Sequence, residues 1–315
     1  MNKIKMVRPK TSDIRHTIDG KALIHIPFFY KEDRLKYLIR VLESLKGYRF
    51  SLIHIVIDTN SRETEKRLGM PLTFERGMIE CVVHDDLKHP YYLTWQHREP
   101  MKRNAGDYDY FIYTEDDILV SWEAIIKWRE DVLLLGASGY NRGFIRAERD
   151  RRGRTVCFFP FKLAGSSAVK IGDKAFIHPS SVHTGFWICD QAQIKDFISR
   201  YWYDTPKQMY SFFREQTTYG WLYDKKEKSL IPLNGELKIP EEALAYHLPD
   251  NYALNPLWGR KLAVEKAVCG RAECVIDRVF FASIEFLRLV FRRLFRWSGA
   301  AYSALRDIYA KLKGY

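Results

Sequence analysis

The chain has 315 residues, 46% of them hydrophobic and 15% aromatic, which supports a sizeable core and excludes an intrinsically disordered protein. A formal charge of +12 favours an anionic partner: nucleic acid, an acidic membrane surface or a phosphorylated substrate. Five cysteines (Cys81, Cys157, Cys189, Cys269 and Cys274) show no CxxC or Cys/His zinc spacing, which argues against a disulfide framework and for a reducing compartment. The opening stretch, 1–20, is polar and lacks the apolar core of a signal peptide, so it is expected to be a flexible segment. No run of about 18 uncharged apolar residues predicts a membrane span. The expectation is a cytoplasmic protein.

In chain order, "KALIHIPFF" (21–29) reads as a buried strand ending at Pro27. The stretch that follows sets Leu35, Leu38, Ile39, Leu42 and Leu45 on one face of a helix that stops near Gly47. Strands are expected at "SLIHIVIDTNS" (51–61), "MIECVVHDD" (78–86) and "YDYFIYTEDD" (108–117), with helices at 91–104, interrupted at Pro100, and at 121–135. Strands alternating with helices over about a hundred residues predict an α/β sheet with a parallel core. Ligands of such sheets sit outside the carboxyl ends of the strands. Asp58, Asp85 and the triplet Glu115, Asp116 and Asp117 all fall there.

The second half is less regular. "GYNRGFIRAERD" and "TVCFFPFKL" read as strands around a turn-rich "RDRRGR", with helical stretches near 190–203 and 206–224 and a short strand at "KSLIPL". "EALAYHLPDNYALN" reads as a structured loop. From about 272, Phe286, Val290, Phe291, Leu294 and Phe295 alternate with Arg288, Arg292, Arg293 and Arg296. That pattern suits a helix lying on an anionic membrane surface, or one packed against the domain or a second subunit.

The triplet poses a physical problem. Three adjacent carboxylates repel one another, and burial strips their hydration. A metal ion, a basic side chain or water must offset that cost. A solvated strand-end loop is the plain alternative. Lys102 and Arg103, just upstream, are candidate cations.

The order of these features resembles a GT-A glycosyltransferase, a nucleotide-sugar enzyme with a Rossmann-like core, here of a family-2-like, bacterial polysaccharide or lipopolysaccharide type. The resemblance covers roughly 21–255 in pattern. It implies a mixed sheet with flanking helices, a domain over 21–262 and a basic amphipathic helical tail over 263–315. In that superfamily the fourth strand ends in Asp-x-Asp, which holds a divalent cation on the donor diphosphate; this chain has Glu-x-Asp. By resemblance Asp117, Glu115 and the late His247 are metal ligands for Mn²⁺ or Mg²⁺, and Glu215 is the catalytic base. Pro27, Asp58, Asp85 and Asp116 are donor-binding, and Gly185, Trp187 and Trp221 contact the acceptor or sugar. Any one tryptophan is as readily a core residue.

The activity implied is metal-dependent, inverting transfer of a sugar from a nucleotide-diphosphate donor. Uridine diphosphate is the default nucleotide, and galactose in pyranose or furanose form a weak guess for the sugar. The acceptor would be a cell-surface glycan or lipid-linked precursor. The protein would be peripheral on the inner face of the cell membrane through its tail, through which it could also form a homo-oligomer. No nucleic-acid signature is present. The rival readings are a catalytically inactive GT-A-like membrane scaffold and a metal-dependent nucleotidyltransferase or phosphatase.

Overall fold

Long β-branched runs with both faces apolar build the centre of the protein, as buried parallel strands require. A computed structural model describes residues 17–69, 71–87, 89–157, 168–179, 184–200, 203–204, 220–222, 228–251 and 262–263. The chain divides into two units, Met1–Ala267 and Val268–Tyr315, and all described residues belong to the first.

In chain order the strands are β1 (Ile18–Phe28), β2 (Phe50–Thr59), β3 (Thr73–Phe74), β4 (Gly77–Val83), β5 (Tyr110–Thr114), β6 (Ile118–Leu119), β7 (Asn141–Arg142), β8 (Ile145–Arg149), β9 (Thr155–Cys157), β10 (Val169–Ile171), β11 (Lys174–Ile177), β12 (Phe186–Asp190), β13 (Ser229–Leu233), β14 (Leu244–His247) and β15 (Leu262–Ala263). The helices are α1 (Leu35–Lys46), α2 (Glu63–Leu68), α3 (Arg98–Arg103), α4 (Trp122–Gly136) and α5 (Gln191–Ile198). Together they form an α/β protein with mixed sheets.

Among the described residues the main sheet has six strands in the order β12-β5-β1-β2-β4-β3. β5, β1, β2 and β4 are parallel, and β12 and β3 close the edges antiparallel. The chain runs outward from β1 to β2 and β4, then returns to β5 on the other side of β1. The strand order thus reverses between β1 and β5, the place where open α/β sheets leave a crevice. One face carries Ile24, Ile26, Ile55, Ile57 and Ile112 under α1 and α4; the other carries Leu23, Val56, Phe111, Tyr113 and Trp187 against Met101 of α3 and Phe197 of α5.

Local signals explain the helix limits. Ser121 caps α4 by accepting from the Ala124 amide at 3.1 Å. Asp190 and Gln193 form a capping box on α5. Two expectations are corrected. Pro100 does not interrupt a helix: a 3₁₀ turn (Pro90–Trp95) comes first, and Pro100 sits in the first turn of α3, where its missing N–H had no intrahelical acceptor to lose. The expected loop at 242–255 holds β14 instead, paired parallel to β8 and antiparallel to β6. Four strand residues were too few to register as a period, and flanking strands decide the conformation. The two strands expected around the turn-rich stretch include β8 and β9, which pair antiparallel within a five-stranded sheet β15-β9-β8-β14-β6. A four-stranded sheet, β10-β11-β13-β7, completes the described strands. Among the described residues no helix is long and apolar enough to cross a membrane.

Candidate functional site

Glu115, Asp116 and Asp117 form the turn between β5 and β6, at the carboxyl end of β5 beside the end of β1. The turn is held by the Ile118 amide donating to the Glu115 carbonyl at 3.1 Å and the Thr114 hydroxyl donating to the Ile118 carbonyl at 3.2 Å. β12 fastens it from the other side, the Glu115 amide donating to the Gly185 carbonyl at 2.8 Å. All three acids are buried, at 5%, 6% and 4% exposure. A solvated loop is therefore not what they form.

The offsetting charge comes from two cations. Arg34, in the 3₁₀ turn (Glu32–Arg34) between β1 and α1, donates through Nε and Nη2 to both oxygens of Asp116, at 2.9 and 2.6 Å. The same Nη2 reaches Asp117 Oδ2 at 2.8 Å. On the opposite side His247 Nε2 lies 3.4 Å from Asp117 Oδ2, and its Nδ1 bonds Glu148 at 2.5 Å. Burial alone would raise Asp117, but His247 and Arg34 outweigh it and hold the carboxyl well below the usual range. Asp116 goes the other way: burial and the adjacent Asp117 charge push it up to about 7 against the pull of Arg34. Burial opposes the His247 imidazolium, yet the bonds to Asp117 and Glu148 prevail and raise it to about 9. Arg34 is likewise raised by its two carboxylates despite partial burial.

A divalent cation fits this geometry in a limited way. Among the described residues no group of three or more His, Cys, Asp or Glu stands ready to hold a metal ion. Asp117 Oδ1, however, is buried without a hydrogen-bond partner, and a buried acceptor left unmade is costly. His247 has its other ring nitrogen on a carboxylate, the arrangement that orients a metal-ligating histidine. Two protein ligands are also what a hard cation takes when substrate phosphates and water complete its shell.

The other expected residues fare unevenly. Asp58, at the end of β2, does lie on the same sheet edge, but at 2% exposure both its oxygens are taken, by His25 Nδ1 at 2.8 Å and His84 Nε2 at 2.9 Å. Burial would raise it, and the two histidines outweigh that and lower it. It therefore offers no free carboxylate oxygen to a nucleoside, and His84, half-buried at the strand end, is the outer member of that group. Pro27 is buried opposite Asp58 across β1 and β2. Asp85 is exposed two residues beyond β4.

Gly185 has φ +72°, and a Cβ there would come within 2.9 Å of the Glu115 carboxylate and of Ile118. The space a glycine frees is filled by the triplet itself, not kept for a sugar. Trp187 and Trp221 are corrected as sugar platforms: both are 1% exposed. Trp187 stacks on Tyr113 with centroids 5.8 Å apart and meets Phe197 edge-on, and the Trp221 indole donates to the Ile188 carbonyl at 3.1 Å. Both rings are core. Lys102 and Arg103 pair at the surface with Asp204 and Glu99; the arginine that reaches the triplet is Arg34. Glu215 and the tail from 272 lie outside the described residues.

Sequence reasoning missed Arg34, Glu148, His25 and His84. The pattern in 32–34 reads as an ordinary charged helix start, and Glu148 as a polar residue in a hairpin; only long-range pairing gives either a role. Neither a scan against protein-family models nor a search of curated proteins gave a match.

Proposed function

We propose that the protein is a metal-dependent GT-A glycosyltransferase using a nucleotide-diphosphate sugar. The observation that carries the reading is the buried acid triplet at the end of β5, where the strand order reverses, with Asp117 Oδ1 lacking a hydrogen-bond partner. When bound, Mn²⁺ or Mg²⁺ would supply a Lewis acid for the charge that grows on the diphosphate as the glycosidic bond breaks. Asp117 and His247 would hold that cation. Arg34, fixed in charge, would help keep Asp117 ionised in a poorly hydrated site and add positive potential beside the donor. Glu215 is the candidate base that takes the proton from an acceptor hydroxyl as its oxygen attacks the anomeric carbon, with inversion. Glu115, whose amide donates to the Gly185 carbonyl, is the third candidate ligand for the cation.

The donor is proposed to be a uridine diphosphate sugar and the acceptor a cell-surface glycan or its lipid-linked precursor. The basic aromatic tail would hold the enzyme on the inner face of an anionic membrane. A specific observation favours one rival: Asp116 and Asp117 already have cationic partners, a balance that a scaffold without catalytic metal would keep. Screening a panel of nucleotide sugars for nucleotide release, with Mn²⁺ and with chelator, separates the two. Metal-dependent release with transfer of the sugar supports the enzyme. Donor binding without release supports the scaffold, and free pyrophosphate or phosphate as product supports nucleotidyl transfer or hydrolysis.

A further inference from the structure

Glu148 is the deepest charge in the site. It is fully buried, at 0% exposure, on a strand remote in sequence from both the triplet and His247. Its position follows from pairing. β14 runs parallel to β8 with Ala245 opposite Arg146 and Tyr246 opposite Ala147, so the next step sets His247 beside Glu148 on one face. β14 also runs antiparallel to β6 with His247 opposite Ile118, the residue after Asp117, and the Leu248 amide donates to the Asp117 carbonyl at 2.9 Å. Two adjacent strands, and the turn that leads into a third, therefore bring Glu148, His247 and Asp117 together. Glu148 takes the Nδ1 side of the imidazole at 2.5 Å, which turns Nε2 toward Asp117 at 3.4 Å.

From this geometry we infer that Glu148 is the positioning residue of the cation site: it fixes the ring orientation of His247 and keeps the Nδ1 proton in place, so that Nε2 is the nitrogen turned toward a divalent cation shared with Asp117. The inference rests on the metal-dependent reading above and deepens it. Its physical basis is general. An imidazole with a free Nδ1 can rotate about its side-chain torsions or place its proton on Nε2, and either removes the ligand; a carboxylate on Nδ1 prevents both. A purely structural ion pair would equally occupy a buried glutamate, but would not need to leave Nε2 directed at an acid whose buried Oδ1 has no hydrogen-bond partner. Arg146, on the same face of β8, and Asp250 are further charged groups near the ring.

The test is Mn²⁺ binding by the full chain, followed through the electron paramagnetic resonance signal of the free aqua ion, with circular dichroism as a check on folding. Glu148→Gln keeps the shape and loses the charge; it is expected to weaken Mn²⁺ binding about 10- to 100-fold, the range usual for an outer partner of a ligand. Glu148→Asp, charged but shorter, should fall between Gln and wild type, and carries the test alone if the Gln variant does not fold. In the double variant with His247→Ala the Glu148→Gln change should add almost nothing, because Glu148 acts only through the ring. Wild-type Mn²⁺ affinity in both Glu148 variants, while His247→Ala and Asp117→Asn lose it, overturns the positioning role alone. Mn²⁺ binding unchanged by His247→Ala and Asp117→Asn overturns the cation site itself, and this inference with it.

Discussion

Two buried acids sit on one sheet edge, at the ends of β2 and β5 on either side of β1, and they are satisfied in different ways. Asp58 has a histidine on each oxygen, both at hydrogen-bond distance, and is closed. Asp117 has Arg34 and His247 crowded on the same oxygen, Oδ2, and nothing on Oδ1. The first arrangement gives each oxygen a partner; the second leaves one buried oxygen without any. Burial and negative charge are shared by both, so neither property alone identifies a ligand site. Of the two, Asp117 is the one with an oxygen that has no hydrogen-bond partner.

The comparison breaks first at Asp58. Asp58→Ala strips a buried partner from both histidines, and losing one member of a buried charged group costs about 3 to 5 kcal/mol. Urea melts should show that loss while Mn²⁺ affinity stays at the wild-type value. Unchanged stability with weakened donor binding would return Asp58 to the nucleoside pocket.

A pH series sharpens the other side. His247 is raised to about 9 from an ordinary value near 6.5, so its stabilising contribution is fully present below about pH 6.5 and is lost as pH rises through about 9. The contribution at stake is at most about 3 kcal/mol in metal-free protein. Asp116, raised to about 7, acts in the same direction at lower pH: the folded state holds its proton longer, so stability declines as pH climbs from about 4 through about 7. His247→Gln should flatten the alkaline limb of the stability curve. A limb unaltered by that change would show that the His247 pairs contribute little.

Gly185→Ala should cost about 2 kcal/mol: the left-handed backbone carries a penalty of about 1 to 2 kcal/mol for any residue with a Cβ, and the added carbon meets Glu115 and Ile118. Calorimetric melting measures it. No change would mean that the contact between β12 and the triplet gives way easily, and that the turn is less rigid than its hydrogen bonds imply.

The legible part of this molecule was the part encoded locally. Alternating and continuous apolar runs located β1, β2, β4 and β5, Ser121 marked the start of α4, and the acid triplet stood out as a run of like charge. What could not be read is whatever depends on register between distant segments. Arg34 meets Asp116 across 82 positions and Glu148 meets His247 across 99; a sequence shows both residues as unremarkable surface charges. Trp187 and Trp221 failed for a related reason. Their chemistry suits a sugar, but the sheet face they lie on is covered by α3 and α5. The short strand β14 was invisible because its conformation is imposed by β8 and β6.

The most direct test of the account is nucleotide release from a nucleotide-sugar donor, measured against Mn²⁺ concentration for wild type and Asp117→Asn side by side. The account predicts saturable Mn²⁺ dependence in the wild type and a loss of about 10³-fold in the variant, the scale of several kcal/mol of charge stabilisation, with an unchanged circular dichroism spectrum. Equal turnover and equal metal dependence in the two proteins would contradict it.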